Sequence, residues 1–99
     1  MVNYSLSTKA VEDLSGIWNY SFDTWGERQA DKYYELLLAS CQELAVKNVA
    51  GKHYPEIGEG IFGFGTGLHI IIYREIKKGR IEVVRILHSS MDLKRRLEE

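Results

Sequence analysis

A chain of 99 residues, 44% hydrophobic and 27% charged, can bury one modest core and reads as a single domain over residues 1–99. No apolar run approaches the roughly 20 residues of a membrane span, and the N-terminus lacks a signal-peptide pattern. The single cysteine, Cys41, has no internal partner for a disulfide, so a cytoplasmic setting is expected.

The formal net charge of −1 hides an asymmetry. Residues 1–67 carry five Lys/Arg against nine Asp/Glu, a net of −4, and residues 68–99 carry eight against five, a net of +3. A basic C-terminal third fits nucleic acid or an acidic partner, and equally a solvated hairpin tip.

In chain order, Val2-Asn3-Tyr4-Ser5-Leu6 alternates apolar and polar residues, as a short half-buried strand does. Ser7 or Thr8 can cap a helix over Thr8–Thr24, where Ala10, Leu14, Ile17, Trp18, Ser21 and Trp25 recur at helical spacing. Gly26 is placed to end it in a left-handed conformation. A second helix, about Glu27 to Val46, has a cleaner stripe of Ala30, Tyr33, Tyr34, Leu37, Leu38, Cys41, Leu44 and Ala45. With so short a connection the two helices form an antiparallel hairpin. Cys41 lies inside the stripe and reads as a small core residue, not a nucleophile.

Lys47–Gly60 reads as a loop and Ile61–Phe64 as a short strand. The runs Leu68–Tyr73 and Ile81–Leu87 are dense in β-branched and aromatic residues and read as a β-hairpin. A three-residue loop, Lys77-Lys78-Gly79, sets Ile76 against Arg80 and Arg74 against Glu82, whereas a shorter loop opposes Glu75 to Glu82. The preferred register puts Leu68, Ile70, Ile72, Val84 and Ile86 on the expected core face. His69, Ile71, Tyr73, Val83, Arg85 and Leu87 then share the other face, a candidate binding surface. Ser89 or Ser90 can cap a short C-terminal helix that docks through Leu93 and Leu97 and turns Lys94, Arg95 and Arg96 outward. The order β-α-α-β-β-β predicts an α+β domain, an antiparallel-rich sheet covered on one face by the helical hairpin.

Gly58-Glu59-Gly60-Ile61-Phe62-Gly63 spells G-x-G-x-x-G, but a loop precedes it and a strand follows. A dinucleotide site needs the reverse context, so the glycines are assigned to turns and a bent strand. His53, His69 and His88 have no neighbour at metal-ligand spacing, and no metal is expected. His69 and His88 fall at adjoining strand ends and can meet across the sheet. Trp18, Trp25, Tyr33 and Tyr34 are many aromatics for one helical pair; those left exposed would form a groove for a partner.

Taken together, several motifs resemble the ParE toxins of bacterial toxin–antitoxin modules, within the RelE/ParE superfamily. They are Tyr4-Ser5-Leu6-Ser7, Ala10 with Asp13-Leu14, Ile17-Trp18 with Tyr20, Trp25-Gly26-Glu27-Arg28-Gln29-Ala30, Tyr33, Leu44-Ala45 and Gly51-Lys52. Gly67-Leu68-His69, Tyr73-Arg74, Arg85-Ile86-Leu87-His88 and Met91-Asp92 continue the match over nearly the whole chain.

The resemblance implies a RelE/ParE-like fold and a non-enzymatic toxin without cofactor or small-molecule substrate. It implies action on DNA gyrase, trapping its cleaved-DNA state, and neutralisation by a ParD-like antitoxin whose flexible tail folds over the helical hairpin and sheet. Target contacts are then expected from His69, Tyr73, Arg85, His88, Lys94, Arg95 and Arg96. Antitoxin contacts are expected from Trp18, Trp25 and Tyr33. Many relatives carry a basic residue just after the glycine that opens the middle strand, whereas Ile61-Phe62-Gly63 follows Gly60 here. The alternatives are a ribosome-dependent mRNA endonuclease of the RelE branch, or an inactive toxin that only binds its antitoxin.

Overall fold

The computed structural model describes residues 3–90. In chain order it contains β1 (Tyr4–Leu6), α1 (Thr8–Trp25), α2 (Glu27–Ala45), β2 (Lys52–His53), β3 (Ile61–Thr66), β4 (His69–Lys77) and β5 (Arg80–His88). Among the described residues the strands form one sheet in the order β1-β5-β4-β3-β2. The β5–β4–β3–β2 ladder is antiparallel, and β1 joins the edge of β5 in parallel. The expected α+β architecture is therefore present, with β2 as an extra strand inside the segment read as a loop. The short helix expected to carry Lys94, Arg95 and Arg96 lies outside the described residues.

Ser7 begins the helical layer. Its backbone is extended, its Oγ accepts the Ala10 N–H at 3.0 Å, and the same hydroxyl donates to the Val84 carbonyl at 2.6 Å. One side chain thus caps α1 and fastens the helix entry to β5. At the other end, Gly26 closes α1 and opens α2. Its N–H donates to the Phe22 carbonyl, and its backbone sits at φ 92°, ψ 173°. That region is nearly closed to any residue with a Cβ. The positive φ was expected, but the extended ψ is not left-handed helical; it reverses the chain within one residue.

The core lies between the hairpin and one face of the sheet. Ala10 and Leu14 of α1, and Leu37, Cys41, Leu44 and Ala45 of α2, pack against Ile71, Tyr73, Ile81, Val83 and Ile86. This corrects the expected facing of the sheet, since Ile71, Tyr73 and Val83 line the core. Leu68 is instead exposed, and Ile70 and Val84 are half-buried. Ile72 is fully buried but outside that cluster.

Two irregularities explain the difference. Ile72 pairs with Arg85 but Tyr73 pairs with Val83, leaving Val84 as an extra residue. A bulge of this kind shifts the alternation by one, so Ile86 and Val83 come to the same side. At the tip, Lys77 pairs with Arg80, leaving a two-residue loop instead of three. A second irregularity between Glu75 and Lys77 then restores Arg74 opposite Glu82. The expected Arg74–Glu82 pair forms at 2.9 Å, and Ile76 drops out of the ladder.

Candidate functional site

Two regions bring the candidate residues together. The first is the end of the sheet where β4 begins and β5 stops. His69 and His88 are direct cross-strand partners, with ring centroids 5.5 Å apart and planes at 79°. From α2, the Tyr33 hydroxyl accepts the Leu68 N–H at 2.9 Å and lies 2.7 Å from His69 Nδ1. The phenol oxygen can donate its own proton to Nδ1 or accept a second hydrogen bond from it, so the Tyr33–His69 contact forms with either His69 tautomer. On His88, Nδ1 accepts the Ser90 backbone N–H at 3.2 Å and lies 2.7 Å from Ser90 Oγ. A backbone N–H can only donate, so the neutral His88 ring carries its proton on Nε2.

Burial, and then the neighbouring His88, hold His69 below its ordinary pKa, with Asp13 acting in the opposite sense. His69 is therefore neutral at neutral pH. Burial raises the Tyr33 phenol, partly offset by the Leu68 N–H, so Tyr33 remains protonated.

Arg85 and Tyr73 do not join this cluster. Arg85 forms a fork on Asp13 of α1, with Nε to Oδ2 at 2.8 Å and Nη2 to Oδ1 at 3.1 Å. Asp13 Oδ2 also accepts the Ile86 N–H at 3.0 Å, so the carboxylate covers the β5 edge beyond the reach of β1. Tyr73 is buried in the core, stacked on Phe62 with centroids 5.7 Å apart, and its hydroxyl accepts the Gly51 N–H at 2.9 Å. Both residues have structural partners in place of a free surface position. Asp13 is the residue whose part the sequence did not disclose, because the partner of its carboxylate is 72 residues away.

The second region is the outer surface of the helical hairpin. Trp18 is half-buried, stacks on Phe22 at 5.3 Å, and donates its indole N–H to Asp31 of α2 at 2.9 Å. Tyr20 and Trp25 meet edge-to-face at 6.1 Å and are 65% and 55% exposed. With Phe22 and Val11 also exposed, α1 presents more large apolar surface than a solvated helix needs. Tyr20 and Phe22 had no place in the sequence-based candidate set, since neither belongs to the helical stripe.

The family model for the ParE toxin of the type II toxin–antitoxin system, parDE, matches residues 4–93. This chain belongs to that family. It is 36% identical over 94 residues to Toxin ParE1 of Mycobacterium tuberculosis, covering 95% of this chain and 96% of the relative. It is 34% identical over 97 residues to Toxin ParE1 of Caulobacter vibrioides, covering 98% and 99%. Its fold is shared by a chain of the chromosomal ParDE TA system from P. aeruginosa, with a TM-score of 0.71 at 21% identity over 89% of this chain and 96% of that one. As a ParE toxin, the molecule belongs to a type II toxin–antitoxin system.

Proposed function

We propose that this ParE toxin poisons DNA gyrase, trapping the enzyme on cleaved DNA, and is neutralised by a ParD-like antitoxin. The family match over residues 4–93 carries this reading. The exposed aromatic surface of α1, with Trp18 and Trp25, is the antitoxin's docking face, and the tail continues to Tyr33 at the sheet end. An apolar strip of this kind rewards a disordered tail that folds on binding, because burial offsets the ordering entropy. Target contacts come from the His69–His88 end of the sheet and from Lys94, Arg95 and Arg96, which follow Ser90 in the sequence. The toxin works in the cytoplasm, where gyrase and its DNA are.

The hydrogen bonds at the sheet end speak against the mRNA endonuclease alternative. A general base needs a bare ring nitrogen within reach of substrate. His69 and His88 both have Nδ1 engaged within the fold, by Tyr33 and by the Ser90 N–H, so neither Nδ1 is open to substrate.

The test is expression of the parent and a Lys94/Arg95/Arg96→Ala variant without antitoxin, followed by assays of supercoiling, gyrase-dependent DNA cleavage and ribosome-bound mRNA. The parent should accumulate cleaved DNA and leave mRNA intact, and the variant should be a weaker poison. Cleaved mRNA with unaffected gyrase would replace this reading by the nuclease one.

A further inference from the structure

Much of the basic C-terminal third of the chain lies on the β4–β5 hairpin, and at its tip that charge is not matched. We propose that the tip binds duplex DNA, with Lys77 and Lys78 on the phosphate backbone. The inference goes beyond the gyrase reading. It places a DNA contact at the opposite end of the hairpin from His69 and His88, and it is tested without gyrase.

The tip is open and braced. Arg74 through Lys78 is an unbroken run of exposed residues. β3 begins at Ile61, opposite Arg74, so β4 runs on past that neighbour before the chain turns. Lys77 pairs with Arg80 across Lys78-Gly79, where Gly79 takes φ 78°. Three contacts hold the ribbon from different sides. Arg74 meets Glu82 at 2.9 Å, Lys47 beyond α2 meets Glu75 at 3.2 Å, and Asn3 Nδ2 donates to the Gly79 carbonyl at 3.3 Å. A surface element fixed in this way has little backbone freedom to lose on binding.

Pairing within the tip leaves two lysines over. The Glu75 and Glu82 carboxylates are taken by Lys47 and Arg74. Among the described residues no carboxylate lies within ion-pair distance of Lys77 or Lys78. Arg80 is half-buried and engaged within the fold, so it is not counted as a contact. Elsewhere the basic residues are matched: Arg28 and Lys32 stand among Glu27, Asp31 and Glu35, and Arg85 is forked on Asp13. Glu56 and Glu59 belong to the loop before Ile61, which confines the positive patch to the hairpin itself.

Shape and charge select the partner. A peptide is held by a groove or by a regular sheet edge, whereas the edge of β4 is broken here where Ile76 drops out of the ladder. A two-stranded ribbon, with strands about 4.8 Å apart, enters a B-DNA major groove about 12 Å wide. The duplex carries one phosphate charge per ~1.7 Å of axis. Two adjacent ammonium groups on flexible stems therefore meet phosphates whatever the base sequence, and the contact is electrostatic and non-specific.

The full chain is titrated into a fluorescently labelled duplex, and anisotropy is followed from about 50 to 200 mM salt. The parent should bind at low salt and weaken steeply as salt rises. Lys77→Ala/Lys78→Ala should keep the parent's melting temperature, since both side chains are exposed. It should lower the slope of log affinity against log salt by about 1.8, two phosphate contacts at about 0.9 each. Lys77→Arg/Lys78→Arg should retain the parent's slope. The same loss should appear in a Lys94/Arg95/Arg96→Ala background, which sets aside the basic residues beyond Ser90. Should the alanine variant fold poorly, Lys77→Gln/Lys78→Gln takes its place.

No duplex binding at about 50 mM salt, or an unchanged slope in the alanine variant, would overturn the proposal. So would a lost slope in the arginine variant, or competition by polyglutamate as strong as by unlabelled duplex. Gyrase cleavage is scored separately on the parent. Poisoning without duplex binding removes this site alone, whereas duplex binding through the tip without poisoning leaves the site and removes the gyrase reading.

Discussion

Replacing Asp13 by Ala tests whether Arg85 acts through the fold or through a partner. The Asp13 and Arg85 side chains are 15% and 14% exposed, and the carboxylate accepts from two guanidinium nitrogens and the Ile86 N–H. Deleting it removes the fork from a mostly buried cation and uncovers a backbone donor at the sheet edge. Breaking a fully buried pair costs about 3–5 kcal/mol, and residual exposure lets water screen some of that, so about 3 kcal/mol is expected here. For a domain of this size that lowers the melting temperature by roughly 12–24 °C. Arg85→Ala should cost somewhat less, because Asp13 keeps the Ile86 N–H.

The Asp13→Ala/Arg85→Ala double variant should be little worse than Asp13→Ala, a clearly non-additive cycle. Thermal and urea denaturation of the four proteins measures this. A melting temperature within about 4 °C of the parent for Asp13→Ala, a change of only about 1 kcal/mol, would refute the clamp. Additive losses would do the same. Toxicity should follow stability in all three variants. A folded, stable Arg85→Ala protein without toxicity would return Arg85 to the target surface.

Four further outcomes are expected. Gly51→Ala should destabilise strongly, because its Cβ would lie 2.6 Å from the Tyr73 hydroxyl and 2.9 Å from the Gly63 carbonyl oxygen. A loss below about 1 kcal/mol in urea would show that the loop gives way freely, a cost ordinary for a neutral surface change. The Cys41 thiol, pushed up to about 12 by burial, should resist alkylation at pH 8 in the folded protein, and Cys41→Ser should keep toxicity; rapid native-state labelling would contradict its placement. A cognate antitoxin should slow hydrogen exchange along α1 and α2 and change the fluorescence of Trp18 and Trp25; unchanged helices would move the docking face elsewhere. The depressed His69 pKa makes stability pH-dependent. Below its ordinary value of about 6.5 the unfolded chain takes up the proton first, so stability falls with pH until the folded ring also protonates. His69→Gln should flatten that stretch of the stability–pH curve, and an unchanged slope would assign the dependence to other groups.

The helical layer could be read from the sequence because its signals are local. Stripes at helical spacing, the Ser7 cap and Gly26 act over a few residues, and the observed helices differ from the expected ones by one residue at their C-terminal ends. The Arg74–Glu82 pair formed as expected only because the irregularity at Ile76 offsets a loop one residue shorter than expected, and the meeting of His69 with His88 was legible because they fall at adjoining strand ends.

The choice of sheet face was not legible. Ile70, Ile71, Ile72 and Tyr73 are apolar on both sides of the strand, so alternation gives no preference, and the bulge at Val84 cannot be seen in composition. The two-residue β2 is too short to leave a pattern. Asp13 reads as a solvated helix residue until β5 is brought against α1. Tyr73 looked available for a target until its hydroxyl was found on Gly51.

The parallel seam between β1 and β5 has a consequence for synthesis. Ser7 and Val84, joined by a hydrogen bond, are 77 residues apart, and β1 has no other strand to pair with in this sheet. On a ribosome adding roughly 5–20 residues per second, β1 and both helices emerge seconds before the strand that completes them. Until β5 leaves the exit tunnel, the helical hairpin lacks Ile81, Val83 and Ile86 beneath it, and its apolar underside is open. The nascent toxin therefore passes through an interval in which it cannot yet be a toxin. During that interval a binding protein or a protease meets a half-built molecule, and translation itself times the onset of toxicity.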